Sequence, residues 1–199
     1  MIRILDFLFS LFGLILLTPF LLLIAFLIKI SSSGPILYKQ ARIGLNGVEF
    51  SVYKLRTMRL NSDTLGLITV GGRDPRVTSI GYFLRKYKID ELPQLMNVLT
   101  GDMSLVGPRP EVKKYVDLYT IDHKKVLSIR PGITDWASIY YRDENVILGQ
   151  STDPEKDYIE QVMPDKLKYN LIYIENYGLL EYFKIIFNTL WYIAVPVKK

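Results

Sequence analysis

From Phe7 to Ile28 the chain reads FLFSLFGLILLTPFLLLIAFLI, 22 residues without a charged side chain. As a straight helix rising ~1.5 Å per residue, such a run reaches ~33 Å, enough to cross a hydrocarbon core. A secretory signal is the poorer reading, because the run exceeds a usual apolar region and IKISSSGP offers no good small-residue cleavage site. Two features argue against a simple crossing. Pro19 removes a backbone N–H and its ring meets the Ile15 carbonyl, which predicts a kink. Arg3 before the run, with Lys29, Lys39 and Arg42 after it, draws both ends toward the cytoplasmic side. A re-entrant helix-break-helix with its break at Thr18 and Pro19 satisfies both; a single kinked span is the alternative.

The turn-forming stretch SSSGP, residues 31–35, marks the boundary, giving an anchor over 1–33 and a soluble domain over 34–199. VEFSVYKLRTMR alternates as a strand would, with Phe50, Val52, Lys54 and Arg56 on one side. Beyond the turn GGRDP, Val77, Ile80, Leu84 and Tyr87 recur at helical spacing, and Leu92, Leu95, Met96 and Leu99 predict a second short helix ending at Thr100-Gly101. A later helix starts at Asp153-Pro154, is interrupted at Pro164 and stops at Gly178. The tail LLEYFKIIFNTLWYIAVPVKK suits an amphipathic helix at a membrane interface or one packed on the core. The sum is a mainly helical α+β fold: a membrane helix plus one small catalytic domain with interfacial helices.

Composition narrows the chemistry. The 199 residues suit one main domain, and 25 Lys+Arg against 20 Asp+Glu fit an anionic partner without choosing it. No nucleic-acid recognition motif occurs and the cations are dispersed, so nucleic acid is not expected. Cysteine is absent and His123, among charges, is the one histidine. Thiolate chemistry is therefore excluded, multi-histidine metal sites are disfavoured, and any metal must be a hard cation held by oxygen, magnesium or manganese. The signatures of P-loop, dinucleotide-binding and α/β-hydrolase proteins do not occur.

Asp90 and Glu91 in KIDELPQLMN stand at a predicted helix start, where the positive end of the dipole favours ionised carboxylates able to bind metal or act as nucleophiles. The plainer reading makes Asp90 an N-cap, though Pro93 has no N–H to offer it. Asp143-Glu144 shows that the dipeptide alone means little; Arg85, Lys86 and Lys88 before the first pair give it a different setting. In SLVGPRPE, Arg109 lies between Pro108 and Pro110, which stiffen the segment and suit its guanidinium to phosphate, an exposed turn arginine being the alternative.

Together, VYKLRTMR, KIDELPQLMNVLTGDMSLVGPRPE and RPGITDWAS resemble the bacterial sugar transferases, the small monotopic phosphoglycosyl transferase family, over nearly the whole chain. The resemblance implies transfer of a phosphosugar from a UDP-sugar to a polyprenyl (undecaprenyl) phosphate at the cytoplasmic face of the bacterial inner membrane, beginning a surface glycan. It implies Asp90 as nucleophile and Glu91 as its partner at a magnesium-dependent site; the charge of the phosphates in such a reaction makes Lys54, Arg56, Arg85 and Arg109 the expected phosphate-binding cations. Lys88 stands where many members have serine, Thr18-Pro19 replaces a Ser-Pro break, and GITDWAS departs from the commoner GITG. Monomer and homo-oligomer both remain open.

Overall fold

The computed structural model describes residues 1–60, 62 and 74–194. The first three positions of the expected turn GGRDP and the two terminal lysines lie outside the described residues.

Helix α1 runs from Ile2 to Ser31 and is helical throughout, Pro19 included. The expected break is therefore a proline inside a continuous helix. A proline withdraws a single N–H from the ladder, and the neighbouring Thr18 hydroxyl donates to the Leu14 carbonyl one turn back at 2.6 Å. Asp6, Ser10, Ile24 and Ile28 are buried, and half-buried Gly13, Leu17 and Leu21 continue their stripe at helical spacing. Both halves of α1 thus rest on the rest of the protein, while Phe12, Leu16, Leu23 and Phe26 face outward. Among the described residues α1 is the helix long and apolar enough to cross a membrane.

Strands β1, Leu37–Ile43, and β2, Glu49–Leu55, form an antiparallel hairpin in register from Leu37 opposite Leu55 to Ile43 opposite Glu49. The alternation in β2 buries Val52 against Val98 and Met103. Leu55 packs on the other side with Ile24, Ile28 and Leu84, clamping the end of α1. Helix α2, Ser79–Lys86, begins where the Thr78 hydroxyl accepts from Gly81 N at 3.0 Å. The expected apolar spacing holds through Leu84, which is sealed in this cluster, and fails at Tyr87, which caps the helix and is exposed; truncating Leu84 to alanine would cost ~2–5 kcal/mol.

Helix α3, Gln94–Thr100, ends at Gly101 with φ 101°, close to the expected boundary. Its buried face differs from the expected one. Gln94, Asn97 and Val98 point inward, while Met96 is exposed and Leu92, Leu95 and Leu99 are half-buried, with Leu95 against Gly13 of the anchor. The leucine stripe meets the anchor side because polar Asn97 has a specific partner inside: its Oδ1 accepts from Tyr53 N at 3.0 Å and its Nδ2 donates to Ser51 O at 2.8 Å. Asn97 so completes the free edge of β2.

Strands β3, Ser104–Val106, and β4, Gly132–Thr134, pair in parallel. Gly107 and Gly132 meet backbone to backbone there: a Cβ on Gly132 would lie 2.1 Å from Gly107 N, so no side chain fits. Beyond β3 come α4 Lys113–Val116, α5 Trp136–Tyr140, α6 Glu144–Leu148, α7 Pro154–Asp157 and α8 Met163–Glu175. Asp153 caps α7 by accepting from Lys156 N, and a π-turn over Tyr158–Val162 absorbs Pro164 into the start of α8. Tyr115 of α4, Leu148 of α6 and Met163 and Leu167 of α8 share a core with Tyr119 and Tyr158, while Ile139 of α5 packs with Val106, Tyr173 and Tyr182. Helix α9, Leu179–Ala194, packs on the core, one of the two readings of the tail: Tyr182 and Ile185 are fully buried, while Phe187 and Trp191 are 67% and 66% exposed.

Candidate active site

Asp90 and Glu91 lie in a 3-10 turn, Ile89–Glu91, entered through Lys88 in the left-handed region at φ 57°. Pro93 occupies the cap position of α3 and no side chain caps that helix, so Asp90 is not its N-cap. Both carboxylates are buried, yet they are treated differently. Glu91 Oε1 accepts from Lys54 Nζ at 3.2 Å and from Arg109 Nη2, and its Oε2 accepts from Arg109 Nη1 at 3.0 Å. Asp90 Oδ1 is buried without a hydrogen-bond partner.

The electrostatics follow. Burial raises the Asp90 carboxyl above its ordinary value, helped by the Glu91 charge and opposed by Lys54, Arg85 and Lys88. The expected dominance of the helix dipole is thus corrected for Asp90: desolvation outweighs it. Burial also works against the Glu91 charge, but Arg109 and Lys54 outweigh it and hold Glu91 well below the carboxylate range. Lys54 is pushed down, chiefly by burial, with Glu91 opposing. Glu91 raises Arg109, against burial.

The loop carrying Arg109 is pinned on three sides. Pro108 O accepts from Gly132 N at 2.9 Å, and Arg109 N donates to Asp135 Oδ2 at 3.2 Å. Asp135, fully buried, also caps α5 by accepting from Ser138 N at 2.6 Å. Glu111 braces the far side, accepting from Arg42 Nη1 at 3.3 Å and Tyr158 OH at 2.5 Å. Sequence reading named neither Asp135 nor Asn97. For Asp135 the signal is present as an aspartate three positions before a serine N–H at a helix start; for Asn97 local sequence offers none.

The structure brings Lys54, Asp90, Glu91 and Arg109 together, with Arg85 in the last turn of α2 close enough to act on Asp90. Arg56 is corrected to a different duty. Its guanidinium donates to Pro35 O, to Ser32 O at 2.7 Å and to Ser32 Oγ at 3.0 Å, capping the C-terminal end of the anchor. Being buried and committed to carbonyls, it leaves the phosphate-binding set. His123 packs edge-on against Tyr119, and Glu144 of the second acidic dipeptide pairs with Lys166. Among the described residues no group of three or more potential metal-ligating side chains occurs. Magnesium, which is satisfied by one or two carboxylates plus substrate phosphates, fits the partnerless Asp90 oxygen; Glu91 has both oxygens engaged by cations.

A family model described as bacterial sugar transferase matches residues 1–195. The chain is 36% identical over 185 residues to the UDP-glucose:undecaprenyl-phosphate glucose-1-phosphate transferase of Escherichia coli (strain K12), covering 89% of this chain and 37% of that protein. It is 37% identical over 188 residues to the UDP-N-acetylgalactosamine-undecaprenyl-phosphate N-acetylgalactosaminephosphotransferase of Aeromonas hydrophila, 93% of this chain and 41% of that protein. The exopolysaccharide production protein PSS of Rhizobium leguminosarum bv. phaseoli is 37% identical over 195 residues, 94% of this chain and 92% of its own. The chain thus spans about two fifths of the first two relatives. Their names give different sugars at nearly equal identity, so overall similarity does not identify a sugar.

Proposed function

Because the chain belongs to the bacterial sugar transferase family, we propose that it transfers a phosphosugar from a UDP-sugar to a polyprenyl phosphate through a phosphosugar-aspartyl intermediate on Asp90. The observation that carries this reading is the asymmetry of the acidic pair. Glu91 is saturated by cations, whereas Asp90 keeps a buried oxygen without a partner beside them.

In the first half-reaction an Asp90 oxygen attacks the β-phosphorus, a new P–O bond forms, and the bond to the bridging oxygen breaks so that UMP leaves with its electrons. In the second, an oxygen of the polyprenyl phosphate attacks the same phosphorus and returns Asp90 as carboxylate. Glu91 holds the Lys54 ammonium and the Arg109 guanidinium side by side, so two cations face the transferring phosphoryl group without reorganising. Lys88 and Arg85 favour the ionised nucleophile against the cost of burial. Magnesium, bound through Asp90 and the diphosphate, would supply charge neutralisation at the leaving group.

A cytoplasmic, re-entrant placement of the anchor is supported by its contacts. Arg3 and Asp6 near its start and Ile28 near its end all touch the same compact domain. A helix spanning the bilayer would set those ends ~30 Å apart on opposite sides. The exposed apolar faces of α1 and α9 fit the bilayer.

The deciding experiment incubates the protein with a panel of UDP-sugars and magnesium, first without lipid. The expected result is release of about one UMP per site and a phosphosugar adduct by intact mass, absent in Asp90→Asn. Continuous release without lipid would indicate a phosphohydrolase instead. No release with any donor, even after polyprenyl phosphate is added, would indicate a binding module.

A further inference from the structure

The anchor carries a single acidic side chain, Asp6, and helix α1 holds it 1% exposed. Its Oδ1 accepts from Leu105 N at 3.0 Å and from Tyr182 OH at 2.9 Å, and its Oδ2 accepts from Ser104 Oγ at 2.9 Å. One turn earlier, Arg3 donates to the carbonyls of Val98 and Leu99 at the end of α3. A carboxylate set into an apolar helix is costly unless donors satisfy its lone pairs. Here the donors come from β3 and α9, elements far from the anchor in sequence.

We infer that Asp6 is the latch that fastens the first turns of the anchor to the catalytic domain and so keeps the start of α1 on the domain's side of the membrane. Pro19 marks where the helix can bend, and the flanking cations bias where its ends lie. Of these cations Arg3 reaches the two carbonyls at the end of α3, but neither it nor Pro19 ties the first turns to β3 and α9. Asp6 does, by joining α1 to β3, the strand that leads directly into Arg109, and to the buried hydroxyl of α9. The inference rests on the re-entrant reading above.

The chemistry of the three bonds supplies a sharp test. In Asp6→Asn the amide keeps the shape: its carbonyl oxygen still accepts from Leu105 N and Tyr182 OH, and its NH2 can donate to the Ser104 hydroxyl, which is able to accept. In Asp6→Ala the same three donors lose their acceptor in a buried site. The latch therefore survives loss of charge and fails with loss of hydrogen bonding, whereas a simple charge signal responds equally to both substitutions.

The full chain has no cysteine, so one cysteine on a short glycine-serine extension ahead of Met1 can be read with a membrane-impermeant maleimide in intact cells. The parent and Asp6→Asn should be protected until the cells are opened, while Asp6→Ala should show a severalfold rise in labelling from outside. Should Asp6→Ala fail to accumulate, the pair Ser104→Ala with Tyr182→Phe removes two of the three donors and should give an intermediate rise. Labelling of Asp6→Asn equal to that of Asp6→Ala would overturn the latch, as would full protection of both the alanine variant and the double variant. Labelling of the parent itself would instead overturn the topology on which the latch rests.

Discussion

Replacing Arg109 by alanine removes the fork that grips Glu91 and leaves a carboxylate side chain, 11% exposed, with Lys54 as its remaining ion-pair partner. Breaking a buried pair by deleting one member costs ~3–5 kcal/mol. Arg109 is 29% exposed, so solvent screens part of the interaction, and Lys54 stays; ~2–3 kcal/mol is the expected loss. For a protein of this size that lowers Tm by about 4–12 °C. The pH dependence is fixed by sign. In the parent, Glu91 sits well below the carboxylate range, burial being outweighed by Arg109 and Lys54. A depressed carboxylate stabilises above its unfolded pKa and loses that contribution as pH falls toward its folded value. The deficit of Arg109→Ala should therefore be full above about pH 5 and shrink on acidification. Adding Glu91→Gln to the variant removes the stranded charge and should recover part of the loss. Thermal unfolding in detergent, followed by tryptophan fluorescence, reads each quantity. A Tm change below about 1 °C, or strict additivity of the two substitutions, would refute the account of Glu91 as a carboxylate held by this fork.

Asp90→Asn should abolish adduct formation yet raise Tm near neutral pH, because burial lifts the Asp90 carboxyl and penalises its ionised form as pH rises. Scanning parent and variant from pH 5 to 8 without metal checks the sign, and a variant less stable throughout would contradict it. Arg56→Gln should destabilise by ~2 kcal/mol through loss of the anchor cap while leaving KM for the UDP-sugar within about twofold. A rise in KM without a change in Tm would restore Arg56 to the phosphate site. Gly132→Ala should not yield folded protein, since its Cβ meets Gly107 N at 2.1 Å; wild-type expression and Tm would show that the two segments can part.

The sequence alone determined the features that depend on local chemistry. An uncharged run of 22 residues favours one long apolar helix whatever the rest of the chain does, so α1 was legible. Helical spacing through Leu84, the glycine that stops α3 and the Asp153-Pro154 start were legible because propensity and capping act within a few residues. The acidic pair and Arg109 stood out in the sequence through the segments that carry them, but the different partners of the two carboxylates did not. Asp90 and Glu91 are neighbours in the chain and opposites in environment, and that difference comes from Lys54 on β2 and Arg109 beyond β3 reaching one of them. Long-range contacts also decided the rest. Alternation placed Arg56 beside Lys54, but the strand ends at Leu55 and the anchor's carbonyls claim the guanidinium. Leucine spacing named the outer face of α3, because the strand edge that takes Asn97 lies more than forty residues away. Nothing local marks Asp6; only the folded chain brings Ser104, Leu105 and Tyr182 to it. Periodicity and caps report what each segment can become, whereas the protonation and partner of a buried group are set by whichever distant segment arrives beside it.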